Sequence, residues 1–507
     1  MSLSIVRTRA RVGVDAPTVT VETHISNGLP SLSIVGLPET AVKESKDRVR
    51  SALINAGFEF PQRRVTLNLA PAELPKEGSR FDLAIAVGLL AASGQVDPQA
   101  VEEHEFLGEL SLDGHVRPVQ GVIPAVVGAG EAGHQLLVPE ANAGEASLAS
   151  HGHVRAVNHL LTVCEYLRGE RSLAPLQRQG EGEDGLYAQM PDLADVQGQA
   201  VPKRALEIAA AGQHNLLFHG PPGTGKSMLA SRLPGLLPAL EDQAALEVAA
   251  IQSVAGLPPQ AQAWRRPPYR APHHTASAVA LVGGGSMPRP GEISLAHRGV
   301  LFLDELPEFS RKVLEVLREP MENGQIVISR AANQITYPAR FQVVAAMNPC
   351  PCGYQGHPTV ECQCSPVQVQ RYRARLSGPL LDRFDMHVAV PVQDSGIMLR
   401  RDPAPEEASA QVRERVLAAR ERQAQRGVLN ALLAGQALKQ HCQLDEAGSA
   451  LLEKAMTRLG LSARSLHRIL RVARTVADLE ACDRIAPAHL AETLGYRTLD
   501  RTQSVSA

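Results

Sequence analysis

A glycine-rich loop near the middle of the chain most constrains how this sequence can fold. Residues 220–227 read GPPGTGKS, fit the spacing G-x-x-x-x-G-K-[ST], and lie between a strand-like run and a helix-like run. In such a loop the main-chain N–H groups surround phosphate oxygens, a lysine reaches the β- and γ-oxygens, and a hydroxyl binds Mg²⁺. The sequence therefore predicts a nucleotide-binding loop made of Gly220, Pro221, Pro222, Gly223, Thr224, Gly225, Lys226 and Ser227.

Two acidic residues follow an apolar run further along the chain. The run Val300–Leu303 ends in Asp304 and Glu305. At the carboxyl edge of a parallel sheet these carboxylates face the nucleotide, where Asp304 suits Mg²⁺ and Glu305 suits activation of a water molecule. An acidic pair after a strand is also a common start of a helix, so this interpretation depends on the glycine-rich loop upstream.

Two more polar residues are candidates for the same site. Asn348 ends the strand-like run Phe341–Met347 and is placed to orient the attacking water, although asparagine at a strand end is usually a turn residue. Arg383, within SGPLLDRFD, is placed to stabilise transition-state charge in the site of a neighbouring subunit. The alternative for Arg383 is an ion pair with Asp382 or Asp385.

The order of strand-like and helix-like runs divides the 507 residues into three domains and a linker. Residues 1–170 contain both kinds of run and predict an α/β or α+β domain, whereas residues 171–195 are polar and interrupted by Gly and Pro. Residues 196–395 alternate strands and helices as parallel sheets do, and residues 396–507 show only helical periodicity. The predicted fold class is α/β, with a parallel-sheet core and a C-terminal helical domain.

Composition narrows the class of protein and its partners. Hydrophobic residues make up 44% of the chain and charged residues 21%, as in ordinary folded proteins. No apolar run reaches the ~18 residues of a membrane helix, and the start MSLSIVRTRARV lacks the apolar core of a signal peptide, which predicts a cytoplasmic protein without membrane contacts. Aromatic residues make up only 3%, so we expect any binding of nucleic acid to depend on phosphate contacts rather than on stacking.

The motifs, taken in order, resemble those of AAA+ ATPases. They are GPPGTGKS, LFLDE, AAMN, LLDRFD and, in the helical domain, SARS. The resemblance covers the last two domains and implies ATP and Mg²⁺ as cofactors. It also implies that Asn348 is sensor-1, that Arg383 is an arginine finger, and that Arg464 is sensor-2, with Arg468 as the second candidate. AAA+ proteins form rings, usually hexamers, with ATP sites between subunits, so the resemblance implies a homo-oligomer.

Two insertions resemble those of the magnesium-chelatase-like branch. Residues 270–285, RAPHHTASAVALVGGG, are similar to the helix-2 insert that faces the pore of the ring, and we interpret the two histidines as structural. Residues 324–337 form two alternating runs about a polar turn, which predicts a hairpin similar to the pre-sensor-1 hairpin. Arg330 near this turn is a candidate for contact with DNA phosphates, as are Arg265 and Arg266 in WRRPPYR; plain solvent-exposed arginines are the alternative.

Four of the seven cysteines lie in one short window. They are Cys350, Cys352, Cys362 and Cys364. Four thiolates in this C-x-C…C-x-C pattern can converge on one zinc ion, and His357 could replace one sulfur. C-x-C is less common than C-x-x-C at structural zinc sites, so free cytosolic thiols are the alternative. A zinc ion held by four protein ligands would stabilise the loop after Asn348 and take no part in catalysis.

The first domain resembles the Lon-protease-like (ribosomal S5 domain 2-like) α+β domain that precedes the ATPase in ComM-type proteins. The resemblance depends on the PKEGS turn, the helix after it and the segment LDGHVRPVQGV. Peptidases of this type use a serine and a lysine, and the corresponding positions carry Arg80 and Ile123. Because isoleucine cannot accept a proton, we expect no peptidase activity. Ser79 with Lys76 is the remaining alternative.

These features together predict an ATP-driven motor that acts on DNA. The resemblance to ComM-type proteins implies a hexameric branch-migration helicase for single-stranded or branched DNA, acting in recombination during natural transformation. The first alternative is a magnesium-chelatase-like or protein-remodelling ATPase without DNA translocation. The second is a scaffold in which hydrolysis is only a switch. All three hypotheses share the ATP site. The sequence therefore predicts ATP hydrolysis more specifically than it predicts the molecule on which the protein acts.

Overall fold

The structure is a computed structural model, which describes residues 2–37, 39–178, 185–285, 288–329, 334–393 and 406–499. Arg330, one of the residues predicted to contact DNA, lies outside the described residues. Within the described ranges, no helix combines the length and the apolar character needed to cross a membrane.

The N-terminal domain contains one large mixed sheet. Its strands are β1 (Ser2–Arg9), β2 (Thr18–Ser26), β3 (Ser31–Val35), β4 (Arg64–Ala70), β5 (His104–Phe106), β8 (Gln135–Pro139) and β9 (Val154–Val157), and β6 (Glu109–Leu110) pairs separately with β7 (Val116–Arg117). The strand order is β3-β4-β2-β1-β5-β8-β9, in which β2 runs antiparallel to both β1 and β4 and the other pairs are parallel. The predicted mixture of strands and helices is confirmed here.

Five helices complete this domain. They are α1 (Thr40–Asn55), α2 (Asp82–Ala92), α3 (Val122–Glu131), α4 (Ala143–Ala149) and α5 (Leu160–Leu167). After Asp82 at its first position, the sequence of α2, DLAIAVGLLAA, is apolar on all sides, and every one of its residues is buried. A helix without a polar face has to lie in a core. This helix therefore packs against β1 and β2 as the centre of the domain.

The second domain contains a five-stranded parallel sheet, as predicted. Its strands are β10 (Leu216–His219), β11 (Tyr269–Arg270), β14 (Val300–Leu303), β17 (Gln342–Met347) and β18 (Met386–Ala389), in the order β11-β14-β17-β10-β18. Two antiparallel pairs lie outside it, namely β12 (Gly283–Gly284) with β13 (Arg289–Pro290) and β15 (Gln325–Ser329) with β16 (Gln334–Pro338). Because β10, β17 and β14 are neighbours, the loops after them meet at one edge.

One set of helices surrounds this sheet, and a second set forms the C-terminal domain. In the second domain they are α6 (Ala200–Gly212), α7 (Lys226–Leu236), α8 (Asp242–Ala255), α9 (Ala278–Val282), α10 (Glu292–Leu295), α11 (Arg311–Val316), α12 (Arg318–Asn323), α13 (Pro366–Arg373) and α14 (Gly378–Leu381). The C-terminal helices are α15 (Ser409–Gln425), α16 (Gly435–His441), α17 (Glu446–Leu459), α18 (Ala463–Leu479) and α19 (Pro487–Gly495). Val416 of α15 and Val472 of α18 are buried in the same apolar cluster as Phe218 of β10, so this helical domain packs directly on the sheet domain.

The N-terminal domain is docked on the sheet domain through α3 and α8. Ala249 of α8 is buried in the same apolar cluster as Ile123 and Val126 of α3. The main-chain N–H of Gly121 donates to the carbonyl of Ser253 at 3.1 Å, and the N–H of Ile123 donates to the Ser253 hydroxyl at 3.3 Å. The two domains therefore share both apolar surface and hydrogen bonds.

Part of the segment predicted as a linker is bound to the sheet domain. Arg178 makes an ion pair with Asp242 at 3.0 Å, and its guanidinium lies 4.7 Å from the ring centroid of Trp264. The Tyr187 hydroxyl donates to the carbonyl of Leu237 at 3.0 Å. These contacts attach the described residues on both sides of positions 179–184 to the sheet domain.

Candidate nucleotide-binding site

The glycine-rich loop connects β10 with α7 at the carboxyl edge of the sheet. Gly223 and Gly225 have φ angles of 77° and 88°, a left-handed conformation that glycine adopts without steric cost. A Cβ atom added at either glycine would find no heavy atom within 4 Å, so both border open space. Helix α7 starts at Lys226 and points its positive end toward this space. The loop therefore fits the phosphates of a nucleotide.

Lys226 connects the loop with the strand end at Asn348. Its Nζ donates to the carbonyls of Gly220 at 2.8 Å and Pro221 at 2.7 Å and to Asn348 Oδ1 at 3.1 Å. Burial lowers the pKa of Lys226, and the nearby carboxylates of Asp304 and Glu305 oppose this shift. The structure thus brings the predicted phosphate-binding lysine and the predicted sensor-1 residue into direct contact.

Ser227 and Asp304, the two predicted Mg²⁺ ligands, also lie together. The Ser227 hydroxyl donates to Asp304 Oδ2 at 2.5 Å. Hydroxyl and carboxylate oxygens are the donors that Mg²⁺ prefers, and this metal usually takes only one or two carboxylates beside phosphate oxygens. The donor set and the open loop therefore fit ATP with Mg²⁺, which when bound would neutralise the negative charge of the phosphates.

Glu305 has a strained backbone and a partner that we did not predict. Its φ of 52° and ψ of 46° are left-handed, a conformation that costs a residue with a Cβ about 1–2 kcal/mol. Its Oε2 lies 2.9 Å from Nδ1 of His274. The interpretation of His274 as structural overlooked this contact, because nothing in the local sequence pattern relates the turn after β11 to the end of β14.

Arg383 is engaged within its own chain. It makes an ion pair with Glu322 and donates to the carbonyl of Pro379, and only 12% of its side chain is exposed. The ion pair with Asp382 or Asp385 that we considered is not among the contacts of the described residues; Asp385 instead accepts the Asn215 N–H at 2.9 Å. The role of Arg383 as an arginine finger stays a prediction.

The two candidates for sensor-2 differ in their surroundings. Arg464 is the second residue of α18 and is exposed. Arg468, one turn later, donates to the carbonyl of Phe384 at 3.5 Å and lies 4.0 Å from Asp385 Oδ1. Arg468 therefore connects the helical domain to the LLDRFD segment. Arg464 remains the candidate whose guanidinium is more open to solvent, and its sensor-2 role stays a prediction.

Arg265 and Arg266, predicted as DNA contacts, are bonded to main-chain carbonyls. Arg265 donates to Leu240 at 2.5 Å, and Arg266 donates to Leu186 at 2.8 Å. The neighbouring Trp264 packs against the apolar cluster of the N-terminal domain. These bonds connect Arg265 to the sheet domain and Arg266 to the linker segment, and contact of either arginine with DNA stays a prediction.

The four cysteines of the window converge. The Sγ atom of Cys350 lies 3.4 Å from that of Cys352 and 3.6 Å from that of Cys362. All four ligand atoms, including that of Cys364, lie within 4.8 Å of one another. Zinc–sulfur bonds of 2.3 Å in a tetrahedron separate the sulfurs by about 3.8 Å, so the arrangement fits a four-thiolate site. Hydrogen bonds, chiefly from the Tyr354 main-chain N–H, lower the pKa of Cys352 to about 6, whereas, despite main-chain hydrogen bonds, burial and the neighbouring thiols raise the pKa of Cys362 and of Cys364.

The cysteine window touches the nucleotide loop. A Cβ atom added at Gly353 would lie 2.8 Å from Cδ of Pro222 and 3.8 Å from Cγ of Asn348. His357, considered as an alternative ligand, instead accepts the main-chain N–H groups of Thr359 and Val360 in a local turn. The window therefore forms one wall of the site, a contact that sequence spacing did not predict.

The positions aligned with a peptidase dyad are buried at the domain joint. Arg80 donates to the carbonyls of Gln120 and Gly121, both at 3.4 Å, and burial lowers its pKa to about 9. The alternative pair is not assembled, because Lys76 donates to the carbonyl of Pro71 and Ser79 donates to Glu109.

Comparison with known proteins identifies the family. Family profiles described as "Magnesium chelatase, subunit ChlI", "Subunit ChlI of Mg-chelatase" and "Magnesium chelatase, subunit ChlI C-terminal" match residues 192–397, 21–142 and 406–497. Competence protein ComM of Haemophilus influenzae is 52% identical over 505 residues, which cover 99% of this chain and 98% of that protein. The chain belongs to the ComM-type magnesium-chelatase-like family. Membership of this AAA+ family indicates ATPase activity with ATP and Mg²⁺.

Other relatives show how far the ComM-type similarity extends. The YifB protein of Escherichia coli is 52% identical over 503 residues, covering 99% of this chain and 98% of that protein. The magnesium-chelatase 38 kDa subunit of Chlorobaculum tepidum is 26% identical over 225 residues, which cover 43% of this chain and 50% of that protein. ComM-type similarity thus includes all three domains.

Proposed function

We propose that this chain is an ATP-dependent DNA motor, a hexameric branch-migration helicase that acts in recombination during natural transformation. The observation that carries the proposal is the match to a competence protein over 99% of the chain. It spans the N-terminal domain and the cysteine window as well as the ATP site. The magnesium-chelatase subunit aligns with less than half of the chain, so it supports the chelatase-like alternative less well.

The insert and the hairpin are built as one unit beside the ATP site. The Tyr337 hydroxyl of β16 donates to the carbonyl of Pro288 at 2.7 Å. A Cβ atom at Gly283 of β12 would lie 2.9 Å from Cδ1 of Ile328 in β15. A DNA contact on either element would therefore displace both. The insert leads through α10 into β14, the strand that Asp304 and Glu305 follow, and the hairpin leads into β17, which supports coupling between DNA and hydrolysis.

We expect DNA to stimulate ATP hydrolysis by the purified full-length chain. Turnover is measured without DNA and with single-stranded, duplex and branched DNA, at low and moderate salt because phosphate contacts weaken as salt rises. Lys226→Ala removes the only lysine of the glycine-rich loop and should abolish turnover under every condition. Lys454→Ala, at an exposed lysine of α17, is the matched control and should behave as the unmodified protein does. If no DNA changes the rate of ATP hydrolysis and the protein binds no DNA, the chelatase-like alternative is favoured.

We also propose that the four cysteines hold a structural zinc ion. We expect about one zinc per chain in protein purified without added metal, measured by elemental analysis. The double variant Cys352→Ser, Cys362→Ser should lose the metal and bind ATP more weakly, because the window contacts Pro222. Cys164→Ala, at a buried thiol of the N-terminal domain, controls for the loss of a cysteine and should keep the metal. Metal-free protein with unchanged ATP affinity would contradict the proposal.

A further inference from the structure

The loop between β1 and β2 of the N-terminal domain, residues 10–17, contains a tight turn. Val12 and Asp15 exchange two main-chain hydrogen bonds, each of 3.0 Å, across this turn. Gly13, between them, has a φ angle of 61°, the left-handed conformation that glycine adopts without steric cost. This β1–β2 turn is therefore held in one conformation by its own hydrogen bonds.

The β1–β2 turn packs on the hairpin of the sheet domain. A Cβ atom added at Gly13 would lie 2.7 Å from Cγ2 of Ile335 in β16, which is closer than non-bonded carbon atoms approach each other. The next residue, Val14, packs against the apolar cluster that contains Ile328 and Tyr337 of the hairpin. The hairpin is therefore supported by a residue pair from another domain.

The turn provides the close packing at this place, because a cavity lies beside it between the two domains. The lining of the cavity includes Arg11 and Glu77 of the N-terminal domain, Arg289 of β13 and Gln334 of β16. Charged and polar groups around an unfilled space provide little van der Waals attraction. The support of β16 by the N-terminal domain therefore depends on the turn, and single substitutions in the turn can test it.

The N-terminal domain can support the hairpin because it is also fixed to the sheet domain at a second place. Helix α3 is joined to α8 through the buried Ala249 and through two main-chain N–H groups that donate to Ser253. Val254, the next residue of α8, lies in the same apolar cluster as Ile328 of the hairpin. The N-terminal domain therefore connects α8 with β16, and attachment at two places prevents it from pivoting about either one.

We propose that the N-terminal domain is a brace for the hairpin, and that Gly13 and Val14 are the positioning residues through which it acts. The brace restricts local opening of β15 and β16 in the protein without DNA. When DNA displaces the hairpin, the brace limits bending within the hairpin, so the displacement reaches β17, the strand that ends before Asn348. The part that concerns DNA rests on the proposed function, whereas the restraint of the hairpin does not.

Hydrogen exchange of the full-length protein without DNA, followed by mass spectrometry, tests the restraint directly. In Val14→Ser the amides of β15 and β16 should exchange about five- to tenfold faster than in the unmodified protein, because loss of a packed apolar side chain makes local opening easier. Val35→Ser, at a valine of β3 that is 46% exposed, is the matched control and should leave exchange of the hairpin unchanged. Unchanged exchange of the hairpin in Val14→Ser would overturn the inference.

A pair of substitutions separates contact with the hairpin from damage to the turn. Gly13→Ala adds a methyl group for which the Ile335 side chain leaves no room, and it should accelerate exchange in the hairpin by a similar factor. In an Ile335→Ala background the Cγ2 atom is absent, so Gly13→Ala should add little further increase. An equal increase in both backgrounds would mean that backbone strain at Gly13 is the cause, and the proposed contact would be rejected.

Steady-state ATP hydrolysis shows whether the brace affects the response to DNA. Without DNA, Val14→Ser should keep the kcat and the KM for ATP within about twofold, because the substitution is made in another domain than the nucleotide loop. With single-stranded or branched DNA it should lose most of the stimulation that the unmodified protein shows. Full stimulation despite faster exchange would contradict the role in the DNA response. If no DNA stimulates the unmodified protein, the proposed motor function fails, whereas the exchange measurements still decide whether the N-terminal domain braces the hairpin.

Discussion

Glu305→Gln should leave ATP binding intact and lower turnover by about 10²- to 10⁴-fold, the usual contribution of a positioned general base. Glutamine has nearly the shape of glutamate, so the left-handed backbone at this position is preserved. The amide cannot take a proton from water, whereas Ser227 and Asp304 still provide the donors for Mg²⁺. Equilibrium binding of a fluorescent ATP analogue and steady-state release of phosphate measure the two properties separately.

Glu308→Gln is the matched control for that variant. Glu308 lies three residues further along the chain, is exposed, and makes an ion pair with Arg375 at 2.7 Å. Exposed pairs contribute only about 0.2–1 kcal/mol, so this change should alter turnover little. Equal losses in both variants would mean that general negative charge near the strand end, and not the carboxylate of Glu305, supports hydrolysis.

Arg383→Ala should lower turnover by about 10³-fold or more, the effect expected of an arginine that stabilises charge in phosphoryl transfer. In the structure Arg383 pairs with Glu322 of its own chain, so action in a neighbouring subunit requires exchange of this partner. Glu322→Gln weakens the internal pair while keeping the arginine, and it should not lower turnover. If Glu322→Gln lowers turnover as much as Arg383→Ala does, hydrolysis depends on the ion pair within the chain and not on an arginine finger.

Mixed rings test whether Arg383 acts between subunits. Chains carrying Arg383→Ala keep Glu305, and chains carrying Glu305→Gln keep Arg383. In a head-to-tail ring, random mixing in equal amounts places the two intact residues together at about a quarter of the interfaces, so activity should partly return. No recovery in mixtures whose co-assembly is shown by cross-linking would place Arg383 in its own subunit's site.

The central part of the nucleotide site could be predicted because its residues follow neighbouring strands of a parallel sheet. The glycine-rich loop, the acidic pair and Asn348 each end an apolar run, and parallel strands present their carboxyl ends at one edge. The structure places β14, β17 and β10 side by side, which brings Asp304 to Ser227 and Asn348 to Lys226. Local pattern and one rule of sheet geometry were sufficient for these contacts.

The partners of the exposed charged residues could not be predicted in the same way. Glu322 pairs with Arg383 from the end of α12, and His274 pairs with Glu305 from the turn after β11. Neither contact follows from periodicity, because each depends on how two loops lie after the domain has folded. The contact of Gly353 with Pro222 is a third example. It places the cysteine window beside the nucleotide loop, and this position depends on packing rather than on the spacing of the cysteines in the sequence.

The joint between α3 and α8 has a consequence for what the N-terminal domain can do. The positions that align with a peptidase dyad, Arg80 and Ile123, face this joint, and Ser253 of α8 is hydrogen-bonded to the same segment. A peptide could reach the place of the dyad only if the two domains separated, which would expose Ala249 and its apolar neighbours to water. Helix α8 therefore blocks access of a peptide to that cleft as long as the two domains stay joined.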